Sequence, residues 1–365
     1  MDFGLSSDQL LLEQTVRGFL SDRIPIDRVR ELRDMDCPND RGHWAELAEL
    51  GIAGIRIPEA EGGSALGLLD VALASQSLGY AVTPSPFLSS AVMVPVALSE
   101  IGDSDAPLSA AWLSGIASGE LTFGVAITEA FSVREDAGVR ETGGSLSGKS
   151  LMALDARSAD LILVSVGTDS LAVIRTDAPG LTINALETID TTRCTSELVL
   201  EAVAPEAVME NCRPAIERML DAGRIALAAD SLGAAEAMIE RAVAYSLERK
   251  QFDRTIGSFQ AVKHMCAEMI ADLEPARSLL WYAAHSFDAV PDEAPLMACQ
   301  AQAHISEIGH QIASLAIQVH GGIGWTDEQN VHFWFKRIGL ARHLLGGPEF
   351  LRDRAAQLQG LAQAS

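Results

Sequence analysis

The sequence predicts a mixed α+β chain made of a helical segment, a middle run of short strands and a closing set of long helices. Three observations carry this. Apolar residues recur at helical spacing from Ser6 to about Leu98. Six short Val-, Ile-, Leu- and Thr-rich segments then lie between 121 and 203, separated by Gly, Asp, Pro and Ser clusters. After Pro205 the sequence turns to long stretches of Ala, Leu, Met, Glu and Arg. The expected domains are 1–119, 120–205 and 206–365.

In the first part, Leu12, Val16, Phe19 and Leu20 form one stripe behind Ser6 or Ser7 as N-cap, and Pro25 closes that helix or opens the next. Trp44, Leu47, Leu50 and Ile52 continue the helical pattern around Gly51; a Pro58-Glu59 turn and the Gly62-Gly63 pair follow, and Leu66 to Leu78 reads as a helix ending at Gly79. In the middle part, 121–128, 145–151, 159–165, 172–176, 181–183 and 197–203 read as strands with no helical pattern between them. That predicts a small antiparallel sheet or barrel. In the last part, 206–248, 258–288, 292–319 and 327–344 read as helices broken at Gly257, Pro291, Pro295 and Gly321, which predicts an antiparallel four-helix bundle.

Composition narrows the function classes. With 365 residues of which 48% are hydrophobic, the chain is neither disordered nor a small disulfide scaffold. Its 27 Lys plus Arg against 50 Asp plus Glu give a net charge of -23, which argues against a nucleic-acid partner and disfavours an anionic membrane surface. Met1-Asp2-Phe3 lacks the basic start of an export signal, and no apolar stretch reaches the roughly 18 residues of a membrane span, so a cytoplasmic protein is expected. Cys37, Cys194, Cys212, Cys266 and Cys299 are odd in number and far apart, and the eight His form no H-E-x-x-H. Neither a disulfide framework nor a metal site is expected.

Two C-terminal stretches are more specific: Glu248-Arg249-Lys250-Gln251-Phe252-Asp253-Arg254-Thr255-Ile256-Gly257-Ser258-Phe259-Gln260, and Gln318-Val319-His320-Gly321-Gly322-Ile323-Gly324-Trp325-Thr326-Asp327-Glu328. Together with the Phe3 to Leu20 helix, the Ile57 to Gly63 turn and the β module between helical parts, they make the chain resemble the acyl-CoA dehydrogenases over essentially its whole length. The resemblance implies FAD as cofactor and an acyl-CoA as substrate. It also implies that Arg249, Gln251, Phe252, Phe259, Gln260, Gln318, Gly321 and Gly322 complete the cofactor site of a neighbouring subunit. Physically, a pyrophosphate needs a fixed cation such as Arg249, and glycines beside helix ends allow close approach to N–H donors. Read without relatives, Gly321-Gly322 serves equally well as a helix C-cap and turn, and Arg249 as a surface ion pair with Glu248 or Asp253.

The family reaction removes an α-proton with a carboxylate base while a hydride leaves the β carbon. The two places where such a base sits in the family correspond here to Leu345 and to Gly223, just before Arg224; neither can take a proton, and no Asp or Glu occurs from Gln329 to Pro348. Asp230 is a weak substitute, about 10 Å along the helix from Gly223. Asp221 and Arg224 are candidate substrate contacts, with a plain first-turn charge the alternative for Asp221.

The family's T-E-P-G-x-G-S run survives only as Thr128 and Glu129, with Thr128 a flavin-contact candidate. Its W-I-T triplet is replaced within Ser150-Leu151-Met152-Ala153. What would build a flavin-ring pocket and a base is degraded, and what reaches to a neighbour is intact. This pattern, with Asp253 where most of the family has Gly and the L-L-G-G-P ending, is similar to the base-lacking chain of actinobacterial heterotetrameric dehydrogenases acting on steroid side-chain thioesters. It implies a homologous partner subunit; a self-sufficient homotetramer with a relocated base, or a non-enzymatic acyl-CoA-binding scaffold, are the alternatives. Gly223 and Leu345 leave the pocket more apolar and larger, compatible with a bulky acyl group.

Overall fold

A computed structural model describes residues 4–102, 106–132 and 134–362; Phe3, counted into the first helix above, lies outside them. In chain order the elements are α1 (Ser7–Arg23), α2 (Ile26–Arg33), α3 (Arg41–Glu49), α4 (Leu68–Tyr80), α5 (Val94–Ile101) and α6 (Ala106–Ala117). Strands follow as β1 (Phe123–Ala126), β2 (Gly138–Thr142), β3 (Ser145–Leu154), β4 (Leu161–Val166), β5 (Ser170–Arg175), β6 (Leu181–Ala185), β7 (Thr195–Val203) and β8 (Ala207–Met209). Then come α7 (Arg213–Glu248), the hairpin β9 (Lys250–Gln251) and β10 (Arg254–Thr255), α8 (Gln260–Ala289), α9 (Ala294–His320), α10 (His332–Ala341) and α11 (Pro348–Leu358). This is the expected order of helices, a middle sheet and a helical C-terminal part. The chain divides into two compact units, one of 1–30, 72–83 and 224–365, the other of 31–71 and 84–223.

In the first unit the local code is legible. Ser6 caps α1: its hydroxyl accepts from the Gln9 N–H at 3.2 Å while the Gln9 side chain accepts from the Ser6 N–H at 3.0 Å. Val16 and Leu20 of the expected stripe are buried. α4 lies close against α7 because both carry glycine at the crossing: a Cβ on Gly79 would sit 2.0 Å from the Asp230 carbonyl oxygen, and one on Gly233 1.9 Å from that of Gln76. Glu236 fastens four helices, accepting from Arg17 at 2.9 Å, Gln76 at 2.8 Å and Arg277 at 3.3 Å. The four helices expected after 205 are present, and α11 makes a fifth. Leu351 and Ala355, one turn apart, pack on Cys299 and Ala303 of α9.

The second unit holds the eight-stranded sheet, in order β6-β7-β3-β1-β4-β5-β8, with β2 pairing both β3 and β4. Because β1 also pairs both β3 and β4, these four strands form a closed circuit of hydrogen bonds. The expectation of a purely antiparallel sheet is corrected: β1 and β2 both run parallel to β4. Two strands escaped the sequence pattern. β2 carries exposed Arg140, Glu141 and Thr142, so its composition is polar, and β8 is three residues long and takes the start of what read as a helix from 206. Leu146, Val139, Ile162, Val164, Ile174, Leu198 and Leu200 fill the core of the sheet.

Candidate active site

The two positions that should carry a base were named in separate parts of the sequence. Arg224, which follows Gly223 in α7, is 1% exposed, and its Nε donates to the main-chain oxygen of Leu345 at 3.1 Å. Leu345 is itself buried and holds a left-handed backbone, φ 54°, followed by Gly346 at φ 106°. A leucine with positive φ is held there by its surroundings. Position 345 itself therefore offers an apolar side chain and a carbonyl.

Asp230 does not fill the gap. Its oxygens accept from Arg337 Nε at 2.9 and 3.2 Å and from an Arg337 terminal nitrogen at 2.7 Å, with the two side chains 6% and 4% exposed. Taking up a proton would leave Arg337 buried against a neutral acid, and uncoupling such a pair costs about 3–5 kcal/mol. Asp221 and Arg224 are both buried within α7.

In the sheet, Thr128 is buried and Glu129, 8% exposed, accepts from the Ser150 hydroxyl at 2.5 Å and the Leu151 N–H at 2.8 Å. These bonds anchor an irregular stretch of β3 between Ser150 and Ala153, where Met152 has φ 57°. The surviving Glu129 thus braces the segment in which the family's aromatic triplet is replaced.

The residues expected to reach a neighbour all stand away from the core. Arg249, Gln251, Phe252, Gln260, Gln318, Gly321 and Gly322 are exposed and Phe259 is half-buried; Phe252 is 87% exposed. β9 and β10 form a two-residue hairpin whose turn residues, Phe252 and Asp253, both have positive φ (53° and 61°), which accounts for the family preference for Gly at the latter. Phe252 meets Phe259 edge to face at 6.2 Å, Arg254 covers the Phe259 ring at 3.9 Å, and Gln260 is hydrogen-bonded to His264 at 2.8 Å.

Two of the readings that had stayed open now resolve. Among the described residues Arg249 forms no ion pair with Glu248 or Asp253. Gly321 is the C-cap of α9, with φ 67° and its N–H donated to the Gln318 and Ile317 carbonyls. The glycine pair lies at the carbonyl end of α9 and at the same time opens a short 3-10 turn, Gly321–Trp325. What the pair does supply is room, since a Cβ at either glycine would meet nothing within 4 Å.

Arg249 lines a groove of 370 Å³ with Arg241, Tyr245, Glu248, His320 and Gln329. Tyr245 stacks on His320 at 4.7 Å, and Arg241 lies over Trp334 at 4.0 Å. Burial pushes the His320 imidazole below its ordinary value. The sequence reading missed Arg241, Tyr245, His320 and Gln329; the first two precede Arg249 by eight and four residues on α7, a helical spacing that would have found them.

Comparison with known proteins agrees with this geometry. Residues 6–120 match the family profile described as acyl-CoA dehydrogenase, N-terminal domain, and 213–358 the one described as acyl-CoA dehydrogenase, C-terminal domain. The chain is 31% identical to acyl-CoA dehydrogenase IpdE2 of Mycobacterium tuberculosis, over 94% of this chain and 95% of that one. It is similar to the ChsE4-ChsE5 complex of Mycobacterium tuberculosis, with TM-score 0.90 and 26% identity over 100% of both chains. A variant of the steroid acyl-CoA dehydrogenase Tcur3481-Tcur3483 gives TM-score 0.86 and 29% identity over 98% of this chain and 99% of that one. Over nearly its whole length, therefore, this chain belongs to the acyl-CoA dehydrogenase family.

Proposed function

We propose that this chain is the base-lacking subunit of an FAD-dependent acyl-CoA dehydrogenase that works as a hetero-oligomer, a heterotetramer by analogy with its relatives, on a bulky, steroid-type acyl-CoA. One observation supports the reading: no carboxylate stands at Leu345 or Gly223, where the family resemblance would put a base, and Asp230 is paired with Arg337, while Arg249 and its companions stand exposed at the surface. The names of the similar complexes support a partner subunit and a steroid-derived thioester.

The donor set fits a flavin dinucleotide carried by a neighbour. Arg249 would neutralise pyrophosphate charge, with Arg241 about 12 Å along the same helix. Gln251, Gln260 and Gln318 would hydrogen-bond polar atoms, Phe252 and Phe259 would cover an apolar ring, and open space at Gly321 and Gly322 would admit the chain of phosphates. Thr128 would offer a hydroxyl to a flavin bound on this chain's own side, a different one from the neighbour's. When bound, the flavin supplies the two-electron acceptor for the β-hydrogen of the thioester. Arg224 positions the Leu345 turn, Asp221 would contact the CoA end, and Leu345 with Gly223 contributes apolar volume and keeps water out. Proton abstraction falls to the partner.

Co-expression of this chain with a second acyl-CoA dehydrogenase chain tests the proposal. The pair should carry bound flavin and oxidise an acyl-CoA with an electron-accepting dye, and this chain alone should do neither. One flavin per chain and equal turnover without a partner would overturn it.

A further inference from the structure

Arg241 borders two openings: the groove beside Arg249 and a separate pocket of 220 Å³ formed by α1, the end of α4, α7 and α10. All walls of the pocket belong to the first unit. One is apolar, made by Leu20, Ile24, Pro25 and Ile26 where α1 gives way to α2. Two cation–aromatic pairs complete the lining, with Arg241 over the Trp334 ring at 4.0 Å and Arg17 over the Tyr80 ring at 4.4 Å. The Trp334 Nε1–H donates to the Tyr80 carbonyl oxygen at 2.8 Å and ties α10 to the end of α4. In a chain of net charge -23, no carboxylate among the described residues lines this pocket.

The two arginines differ in what they have left to give. Arg17 is paired with Glu13 at 3.0 Å and with Glu236 at 2.9 Å. Arg241 is half-buried, and among the described residues it makes no hydrogen bond and no ion pair. Its sequence neighbour Glu240 accepts from the Tyr80 hydroxyl instead. Burial draws the Arg241 guanidinium below its ordinary value, as expected of a cation taken out of water without a hydrogen-bonded counter-charge.

We propose that this pocket binds a monocarboxylate with a ring-sized apolar body, a ligand distinct from both the thioester and the flavin. The carboxylate takes the forked N–H donors of Arg241, and the body lies against the wall from Leu20 to Ile26. Size selects this class: a dry cavity of about 150 Å³ holds benzene, so the pocket has room for a ring and a carboxylate but none for a nucleotide. Charge selects it too. One uncompensated cation balances one negative charge, and a phosphate dianion would carry a surplus charge into the neighbourhood of Glu13, Glu236 and Glu240.

The test titrates benzoate into the full chain by isothermal calorimetry, up to about 10 mM. Saturable binding of one benzoate per chain is expected. Benzyl alcohol, which lacks the charge, and acetate, which lacks the ring, should each bind at least ~10-fold more weakly. Arg241→Gln should weaken benzoate roughly 10- to 100-fold, the loss of a charge-assisted contact. Ser21→Trp, at an exposed position on the lining of the pocket, should obstruct it without removing a buried group and weaken benzoate by a similar factor. Arg249→Leu, in the other groove, should bind benzoate as the parent chain does. Absence of saturable binding, benzoate held no better than benzyl alcohol or acetate, undiminished binding in either folded pocket variant, or loss of binding in Arg249→Leu would each overturn the proposal.

Discussion

Replacing Asp230 with Asn distinguishes a structural ion pair from a hidden catalytic base. The substitution keeps the shape of the side chain and removes its charge, leaving the Arg337 guanidinium, 4% exposed, against a neutral amide. The pair makes three contacts of 2.7 to 3.2 Å in the interior, a setting in which loss of one partner costs about 3–5 kcal/mol. A drop of several degrees in the thermal unfolding midpoint of the complex should follow, with turnover per folded molecule unchanged at temperatures where the variant remains native. Asp230→Leu combined with Arg337→Met, which removes both charges, should regain most of the lost stability. The decisive assay is scanning fluorimetry alongside steady-state turnover. A variant as stable as the parent but without activity would refute the reasoning and make Asp230 the base.

Other outcomes follow from the same geometry. Arg249→Leu in the assembled complex removes a charge-assisted contact worth about 1.5–3 kcal/mol, so flavin retention on gel filtration should weaken roughly 10- to 100-fold with little change in melting. Gly233→Ala places a Cβ 1.9 Å from the Gln76 carbonyl oxygen, and forcing α4 away from α7 should cost about 1–3 kcal/mol or more, read as a lower midpoint. Glu129→Ala strands the buried Ser150 hydroxyl and the half-buried Leu151 N–H at about 1–3 kcal/mol, and Glu129→Gln should recover most of that loss. His320 is held below its ordinary value by burial, so the unfolded chain binds protons more readily. Its contribution is complete above about pH 6.5 and declines as pH falls toward its folded value; the pH-dependence of unfolding should flatten in His320→Gln.

Much of the fold was readable because its signals are local. Ser6 and Gln9 cap α1 through side chains three residues apart, and Leu351 with Ala355 shows a helical repeat even though α11 went unread. Strand β2 was illegible because pairing to β3 and β4, rather than its polar composition, makes it a strand. The candidate site divides in the same way. Absence of a carboxylate at Leu345 and Gly223 is a statement about composition and needed no coordinates. Arg337 as the mate of Asp230 and the Arg224 bond to the Leu345 carbonyl join positions 107 and 121 apart, and no periodicity in one chain announces them.

The turn at Leu345 bears on what a carboxylate placed there would meet. Its left-handed main chain gives Arg224 a carbonyl oxygen to grip, and the guanidinium is sequestered by that bond. Writing Glu at 345 would therefore deliver a new acid to a backbone bent around a buried cation, where the two would neutralise one another instead of leaving a free proton acceptor. On the proposed reading, a base at this position would require rebuilding the loop as well as the letter, beyond the reach of a single substitution.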